Sequence, residues 1–478
     1  MKTFNEERTS VSGLKIAYIG GGSRGWAYTL MRDLAQEPNL SGEICLYDID
    51  YAAAQMNEVV GNRLSAREDA VGKWKYTAKK TIGEALDGAD FVIISIMPGT
   101  FDEMESDVHY PEKYGIYQSV GDTTGPGGII RALRTVPMFE EIALAIKEYS
   151  PNAWVINFTN PMTVCVRTLY KTFPQIKAFG CCHEVFGTQA LLSSMLWKKY
   201  KISASRNDIK TNVVGINHFT WITEAKYKEI DLYEEYKQFV AENPNGAGEH
   251  TDANWVSVPC ASLQLVKFDL FKRYGVIAAA GDRHLAEFCN GYWYLKDPET
   301  VKKYGFTLTS VAYRKNELKE RLEKAEKLAS GEEDFTLRKS GEESVRQIKA
   351  LLGLGDFVTN VNIPNVGQVP NNPKDAVVET NAFFSADSVR PVFAGEVPET
   401  VNALVMRIIE EQEAVVEAGL TGNYELAFRV FANNPNVNLP LDTARELFEQ
   451  MLENTKKYLP YYENYKKGVC DLYNKKEG

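Results

Sequence analysis

The sequence predicts an α/β fold, in which a doubly wound parallel sheet is followed by a C-terminal α+β domain. Short apolar runs that resemble strands occur at residues 14–19, 44–47, 91–96, 154–157 and 176–179. Amphipathic, helix-compatible segments lie between them, at 51–66, 135–149 and 162–170. Such alternation is typical of a parallel sheet with helices on both faces. A glycine-rich turn follows the first run, and near residue 207 the alternation of strands and helices gives way to longer helical segments. These two observations favour a nucleotide-binding first half and a second domain.

The first apolar run ends in a Gly-x-Gly-x-x-Gly motif that begins at Gly20. In a Rossmann-like dinucleotide site, Gly20 permits the turn, Gly22 lets the backbone approach the pyrophosphate, and Gly25 lets the helix pack on the strand. Ser23 lies in the same turn, where the helix N-terminus attracts the anion. The second run ends at Asp48, which is placed to hydrogen-bond a ribose. Its acidic side chain favours NAD over NADP.

At 478 residues the chain is longer than one ordinary domain, and we expect an NAD-binding domain over 1–205 and a catalytic domain over 206–478. In the second part a strand is predicted at 211–216 and helices at 225–242, 255–273 and 311–328. Two more strands, 357–363 and 375–380, flank a loop rich in Pro, Asn and Gly, and helices follow over 399–461. The charged stretch 317–333 is expected to be a solvated helix and turn.

Composition excludes several classes of protein. A formal net charge of −10 argues against nucleic-acid binding, and an acidic substrate would have to meet local arginines. No run of about 18 apolar residues predicts a membrane span, and the N-terminus does not resemble a secretion signal. Seven cysteines without a framework spacing are expected to be reduced thiols in the cytoplasm.

Asn157-Phe-Thr-Asn160-Pro161 directly follows a predicted strand, at the sheet edge where ligands bind in open α/β folds. A helix cap before the proline would explain the same residues. Similar motifs lie beside the nicotinamide in lactate and malate dehydrogenases, which favours a ligand site and a fold of that type.

Two further strands end in residues that bind metals. Cys181-Cys182-His183-Glu184 follows one strand, and Gly215-Ile-Asn217-His218 ends another. A lone cysteine or histidine is usually a core residue, and no zinc-type spacing is present. Two protein ligands with open positions would suit a catalytic divalent ion.

Two polar segments remain. Gly121-Asp122-Thr-Thr-Gly125-Pro-Gly-Gly128, with Arg131 and Arg134 after it, is either a surface loop or a segment that closes over a polar ligand. Gly281-Asp282-Arg283-His284 places an acid between cations near a helix start. Asp282 is therefore either a helix cap or a carboxylate base.

Together these motifs resemble the NAD- and manganese-dependent glycosidases of glycoside hydrolase family four over nearly the full chain. The segments that carry the resemblance are the glycine turn with Asp48, 123–128 with 132–135, 157–160, 182–185, 215–218, 362–367 and 377–379. Cys182-His183-Glu184-Val185 is similar to the α-galacturonidase branch. Phosphoglycosidases of the family tend to have Asn or Asp where this chain has His183.

The resemblance implies NAD and Mn²⁺, or another divalent metal, as cofactors, with Cys182 and His218 as the metal ligands. NAD⁺ would take hydride from the sugar C3, the metal would stabilise the enediolate, a base would remove the C2 proton, and water would add after elimination. We expect Asp282 to be that base, although several phosphoglycosidases use a tyrosine. Asp122 or Glu184 would transfer protons to the leaving group and from water.

For the substrate, Asn160 is expected to touch the nicotinamide or the sugar, and His183 to contact the sugar. Arg131, Arg134 or Arg283 would clamp a uronate carboxylate, because a guanidinium fork fits a carboxylate plane. The function implied is hydrolysis of α-linked galacturonides in a small oligosaccharide or uronide, by a homo-oligomer (a dimer or tetramer).

Three alternatives stay open at this point. One is a neutral α-glucosidase or an α-glucuronidase of the same family. Another is an NAD-dependent 2-hydroxy-acid dehydrogenase, which would need no metal. The last is a non-enzymatic NAD-binding sensor or scaffold.

Overall fold

The structure is a computed structural model and describes residues 2–247 and 262–467. In these ranges the strands are β1 (Thr3–Phe4), β2 (Val11–Ile19), β3 (Leu40–Tyr47), β4 (Trp74–Lys79), β5 (Phe91–Ile94), β6 (Trp154–Asn157), β7 (Lys177–Gly180), β8 (Lys210–Ile216), β9 (Phe219–Tyr227), β10 (Ile230–Asp231), β11 (Ile277–Ala278), β12 (Phe357–Pro364), β13 (Val377–Ser385) and β14 (Ser388–Pro391).

The α-helices of the same ranges are α1 (Trp26–Ala35), α2 (Tyr51–Ala66), α3 (Ile82–Leu86), α4 (Phe101–His109), α5 (Gly125–Tyr149), α6 (Met162–Thr172), α7 (Glu184–Tyr200), α8 (Leu232–Glu242), α9 (Leu265–Tyr274), α10 (Asp282–Phe288), α11 (Gly291–Tyr294), α12 (Pro298–Lys303), α13 (Val311–Ser330), α14 (Ser344–Leu351), α15 (Glu399–Thr421), α16 (Tyr424–Asn433), α17 (Leu441–Thr455) and α18 (Tyr462–Lys467). None of these helices has the length and apolar character that crossing a bilayer requires.

A ten-stranded sheet forms the centre of the fold, in the order β14-β13-β12-β7-β6-β5-β2-β3-β4, with β1 paired to β2. Strands β2 to β7 pair in parallel, which confirms the predicted doubly wound sheet. Strands β12 to β14 belong to the second half of the chain and add to this sheet in antiparallel orientation. They join it where Asn362 of β12 pairs with Gly180 of β7.

A second sheet of four strands, β8 to β11, belongs to the C-terminal α+β domain. The predicted helix over 225–242 is wrong at its start, because the chain continues in β9 to Tyr227 and α8 begins only at Leu232. Pairing of β9 with β8 (Lys210 opposite Lys226) overrides the local helix propensity. Of the predicted helix 255–273, residues 265–273 lie in α9 and 255–261 lie outside the described residues.

Two further differences bear on the site. Strand β4 was missed, and α5 begins at Gly125 rather than at 135. Gly125, Gly127 and Gly128 therefore lie in the buried first turn of a helix and not in a surface loop. A Cβ on Gly127 would lie 2.6 Å from the carbonyl oxygen of Asp107, so only glycine permits α5 to pack this closely on α4.

Candidate active site

The glycine-rich turn connects β2 to α1 and lies against the end of β3. Gly20 has a φ of +90°, and a Cβ there would lie 2.0 Å from the carbonyl oxygen of Ser95. A Cβ on Gly22 would lie 2.9 Å from Oδ2 of Asp48, and this carboxylate accepts a hydrogen bond from the N–H of Gly22 at 2.9 Å. The turn therefore has the close backbone packing that a pyrophosphate-binding loop requires.

Two side chains hold the shape of this turn. The hydroxyl of Ser23 accepts a hydrogen bond from the N–H of Trp26 at 3.2 Å, in the first turn of α1. The buried Asn57 of α2 donates to the carbonyl oxygens of Gly21 and Ser23, at 2.7 and 2.9 Å. Asn57 was not among the predicted site residues. Its only mark in the sequence is that it is a polar residue on the apolar face of an amphipathic helix.

The Asn-Pro motif follows β6, and its two asparagines differ in their environment. The side chain of Asn157 bonds to the backbone of Thr159, accepting at 3.0 Å and donating at 3.0 Å, so it shapes the turn locally. Asn160 precedes Pro161 through a cis peptide bond, and its buried Oδ1 has no hydrogen-bond partner in the described part of the chain. A buried amide oxygen without a partner fits a residue that meets a ligand.

Five side chains form a continuous polar row, which we call the imidazole row: Asp122, Thr123, His218, His284 and Glu184. The hydroxyl of Thr123 donates to Asp122 at 2.7 Å and lies 3.1 Å from Nδ1 of His218. The rings of His218 and His284 stack with centroids 3.7 Å apart. Nε2 of His284 lies 3.6 Å from Glu184. Residues from the segment before α5, the β8–β9 turn, α10 and α7 thus meet at one place.

Charges are unevenly distributed along the row. Burial, together with the adjacent His284, lowers the pKa of His218 to about 3, so the His218 ring is neutral and can act as a metal ligand. Burial alone would raise the pKa of Glu184, but the imidazoles of His284 and His218 outweigh it and hold that pKa well below its usual range. The second oxygen of Glu184 accepts the N–H of Gly281 at 2.7 Å.

The two adjacent cysteines occupy different environments. Sγ of Cys181 lies 3.2 Å from Oε1 of Gln347 and packs against the core. Cys182 is hydrogen-bonded to the side chain of Asn217, the residue before His218. Burial and the Glu379 carboxylate raise the pKa of Cys182 well above its usual value. Without a cation nearby this thiol is therefore protonated.

These donors fit a divalent metal ion with open coordination positions. Cys182 offers sulfur and His218 a neutral imidazole, and a bound cation would favour the thiolate that burial disfavours. In the described ranges, no group of three or more His, Cys, Asp or Glu side chains is arranged to hold a metal by protein atoms alone. Substrate oxygens or water would have to complete the coordination, so the ligand roles of Cys182 and His218 stay predictions.

The arginines differ in how much of each guanidinium is already used. Arg134 is fully buried, and its two outer nitrogens donate to the two oxygens of Asp107 at 3.0 and 2.5 Å. Arg131 donates only its Nε to the carbonyl oxygen of Asn160, at 3.1 Å, and it lies next to Asp122, whose pKa it lowers against the effect of burial. Arg131 is therefore the better placed of the two to meet a ligand.

Arg283 is anchored to the chain that leads into Asp122. Its Nε and Nη2 donate to the carbonyl oxygen of Ser119 at 3.2 and 2.6 Å, and Nη2 also donates to Thr309 at 2.7 Å. Burial and the neighbouring Arg314 lower its pKa to about 10. The positively charged guanidinium groups of Arg283 and Arg314 are thus close enough to repel each other. Arg314 was not among the predicted site residues.

Asp282 and His183 have partners outside the imidazole row. Oδ1 of Asp282 accepts the N–H of Lys267 at 3.0 Å, at the start of α9, and burial raises the pKa of Asp282 to about 6. His183 lies 3.4 Å from Glu342 and its ring centroid lies 6.3 Å from that of Trp26, beside the glycine turn. His284, which was given no role in the sequence analysis, is thus a member of the imidazole row, whereas Asp282 is not.

One buried carboxylate, Glu379, has no assigned role but hydrogen-bonds residues next to the site. Glu379 of β13 accepts hydrogen bonds from Thr220 at 2.8 Å and from Asn360 at 2.7 Å. Burial raises its pKa to about 6. It links the β8–β9 hairpin, which carries His218, to the antiparallel edge of the central sheet.

Comparison with known proteins identifies the family of the chain. Residues 15–198 match the family described as Family 4 glycosyl hydrolase, and residues 213–437 match its C-terminal domain. The chain belongs to glycosyl hydrolase family 4. It is 62% identical over 451 residues to an alpha-galacturonidase of Thermoanaerobacterium saccharolyticum, covering 94% of this chain and 97% of that protein.

Two further proteins extend the comparison, one through its sequence and one through its fold. An alpha-galacturonidase of Bacillus subtilis is 52% identical, covering 92% of this chain and 97% of that protein. The 6-phospho-beta-glucosidase of Thermotoga maritima, solved with manganese, NAD⁺ and glucose-6-phosphate, is 23% identical with a TM-score of 0.74. The two structures superpose over 93% of this chain and 99% of that chain, which supports the fold described above.

Proposed function

We propose that this family 4 glycoside hydrolase cleaves α-linked galacturonides and uses NAD and a divalent metal, manganese in its T. maritima relative. The observation that carries the proposal is the imidazole row, in which Glu184 is ionised and His218 is neutral. Cys182 lies within the electrostatic reach of Glu184 and is hydrogen-bonded to Asn217, the neighbour of His218. With substrate oxygens or water as further ligands, Cys182 and His218 would hold a metal ion next to groups that can transfer protons. The high identity to proteins named alpha-galacturonidase supports the choice of sugar.

Each group has a separate task in this proposal. Bound NAD⁺ would accept and return a hydride at the sugar C3, and the metal would act as a Lewis acid towards O2 and O3. Asn160 orients the nicotinamide or the sugar through its unpartnered Oδ1. Glu184 is ionised and able to accept a proton, and Asp122 is held ionised by Arg131.

The base at C2 is the least constrained assignment. We retain Asp282, because a carboxyl with a pKa near 6 alternates readily between its charged and neutral forms near neutral pH. Its contact with the N–H of Lys267 engages only Oδ1. His284 is the competing candidate, because its buried Nδ1 has no hydrogen-bond partner in the described ranges.

Recognition of the uronate carboxylate is assigned to Arg131 and Arg283. Both guanidinium groups are largely buried, and each lies within the electrostatic reach of Asp122. In a chain of net charge −10, an anionic sugar needs such local cations. Arg134 is omitted from the proposal because Asp107 engages both of its outer nitrogens.

Steady-state kinetics with matched aryl α-galacturonide, α-glucuronide and α-glucoside, in the presence of NAD⁺, Mn²⁺ and a thiol reductant, tests the substrate class. We expect a clear preference for the galacturonide. Arg131→Gln should cost roughly 2–5 kcal/mol of binding for the uronide and far less for the neutral glucoside. A preference for the glucoside would overturn the uronide assignment and favour the neutral α-glucosidase.

The dehydrogenase alternative differs in redox balance. A glycosidase that returns its hydride produces no net NADH and loses activity on chelation of the metal. Stoichiometric NADH accumulation that persists in chelator would favour the 2-hydroxy-acid dehydrogenase instead. Failure to turn over any glycoside would favour a non-enzymatic NAD-binding protein.

A further inference from the structure

Helix α13 packs against α2 and α4, next to the glycine turn, although it belongs to the second half of the chain. Its C-terminal end is fixed to α2, where Nε of Arg63 donates to the carbonyl oxygen of Leu328 at 3.2 Å. Its N-terminal half is fixed to α4, where Lys315 lies 2.8 Å from Asp102. The outer face is exposed, as predicted for the charged stretch 317–333, but the inner face packs against the NAD-binding domain.

Arg321 is the residue of α13 that reaches the turn. A Cβ built on Gly25 would lie 2.6 Å from Nη1 of Arg321, so the guanidinium is in contact with the N-cap of α1. In a dinucleotide site, the N-terminus of this helix is where the pyrophosphate binds. The Arg321 side chain retains 40% of its exposure, which leaves donors accessible from the cleft.

The charges around Arg321 favour an anion. Glu317 accepts from Nη2 of Arg321 at 2.7 Å and also lies 3.9 Å from Nη1 of Arg314. One carboxylate is thus shared between two guanidinium groups, which leaves a positive excess on this face. In the turn itself, the buried Nε of Arg24 has no hydrogen-bond partner in the described ranges.

We propose that α13 is part of the cofactor site and that Arg321 binds the NAD pyrophosphate beside the N-terminus of α1. The inference rests on the proposed use of NAD. A guanidinium placed next to this N-terminus would donate to phosphate oxygens that the backbone N–H groups of the turn also contact. The second half of the chain would then close over the cofactor bound by the first half.

Equilibrium binding of NAD⁺ and of ADP to the full-length protein, by calorimetry and without substrate or metal, tests the role of Arg321. We expect Arg321→Gln to weaken both ligands by roughly tenfold or more and Arg321→Lys to weaken them less. Lys324→Gln is the matched control, because Lys324 is an exposed cation on the outer face of α13. Adenosine lacks the diphosphate, and its affinity should not change.

The outcomes separate the two proposals. If the wild-type protein binds NAD⁺ but Arg321→Gln binds it equally well or more tightly, the role of Arg321 is overturned while the proposed function stands. If Arg321→Gln and Lys324→Gln lose equal NAD⁺ affinity, the effect comes from the overall positive charge of α13 and not from a specific contact. That result would also overturn the role of Arg321. If the wild-type protein does not bind NAD⁺ at all, both proposals fail.

Discussion

The imidazole rings of His218 and His284 lie almost face to face, with centroids 3.7 Å apart and planes inclined by 30°. Two imidazolium ions at this distance in a buried site would repel each other strongly. Burial lowers both pKa values, and His284 lowers that of His218 as well, so the pair does not become doubly protonated near neutral pH. A β-hairpin turn and a short helix thus present neutral nitrogen donors together.

The first prediction concerns the metal-side thiol. Cys182→Ser should lower Mn²⁺ affinity by roughly 100-fold or more, because a hydroxyl replaces a ligand that a cation can convert to thiolate. Cys181→Ser is the control, since its sulfur faces Gln347 and the core. Free Mn²⁺ measured by electron paramagnetic resonance, together with kcat, gives the result. Retained metal affinity in Cys182→Ser with a loss in Cys181→Ser would reverse the assignment.

The second prediction separates Asp282 from His284 as the base. During turnover in D₂O, removal of the C2 proton should lead to deuterium at C2 of the product. We expect Asp282→Asn to lower turnover and exchange roughly 100-fold or more, and His284→Gln to have the smaller effect. Proton NMR of the product measures the exchange. The opposite order of effects would transfer the role to His284.

The third prediction concerns stability. Arg134→Gln leaves Asp107 buried without its cation and should destabilise the protein by roughly 3–5 kcal/mol, measured by denaturant unfolding. The double variant Arg134→Met/Asp107→Leu should recover most of this loss, since no charge is then left unpaired. Arg167→Gln, which breaks the more exposed pair with Glu413, is the control and should cost about 1 kcal/mol or less. Equal effects of the two single variants would contradict the argument.

The fourth prediction is a pH dependence of stability that arises from Glu287. This buried carboxylate accepts the N–H groups of Val120 and Gly121 at 2.7 and 2.8 Å, and burial raises its pKa to about 8. Because the folded state binds the proton more tightly, the contribution to stability is complete below the ordinary pKa of 4.5 and is lost as the pH rises through about 8.

Glu287→Gln keeps an acceptor oxygen but cannot titrate. The melting temperature of this variant should therefore fall less than that of the wild type between about pH 5 and pH 8. Glu323→Gln, on the exposed face of α13, is the control and should follow the wild type. Parallel curves for Glu287→Gln and the wild type would show that the group does not titrate in this range.

Local patterns predicted the parts of the fold that local physics decides. The turn from Gly20 to Gly25 and the bounds of β6 and α2 could be predicted, because apolar periodicity and glycine spacing determine them directly. The predicted helix begins at residue 225, because the Ala, Lys and Glu residues from there on have good helix propensity. Pairing across the β8–β9 hairpin decided the outcome, and that is a non-local interaction.

Most candidate site residues were predicted where a motif ends a strand. Cys182, His218 and Asn160 are candidates because the carboxyl edge of a parallel sheet is a known position for ligands. His284 and Arg321 were given no role, since their relevance arises from contacts with His218 and Gly25, far away in the sequence. The segment around His284 was a candidate only for the roles of Asp282 and Arg283, and the charged stretch around Arg321 was predicted to be a solvated helix.

The pairing of β12 with β7 has a consequence for biosynthesis. Gly180, which pairs with Asn362, lies immediately before the cysteine pair, so this edge of the sheet stays open on a nascent chain until β12 has left the ribosome. An unpaired edge strand is a site for aggregation. The amino-terminal half is therefore expected to be more prone to aggregation during translation, and the backbone next to the cysteine pair to reach its final geometry only after β12 has emerged.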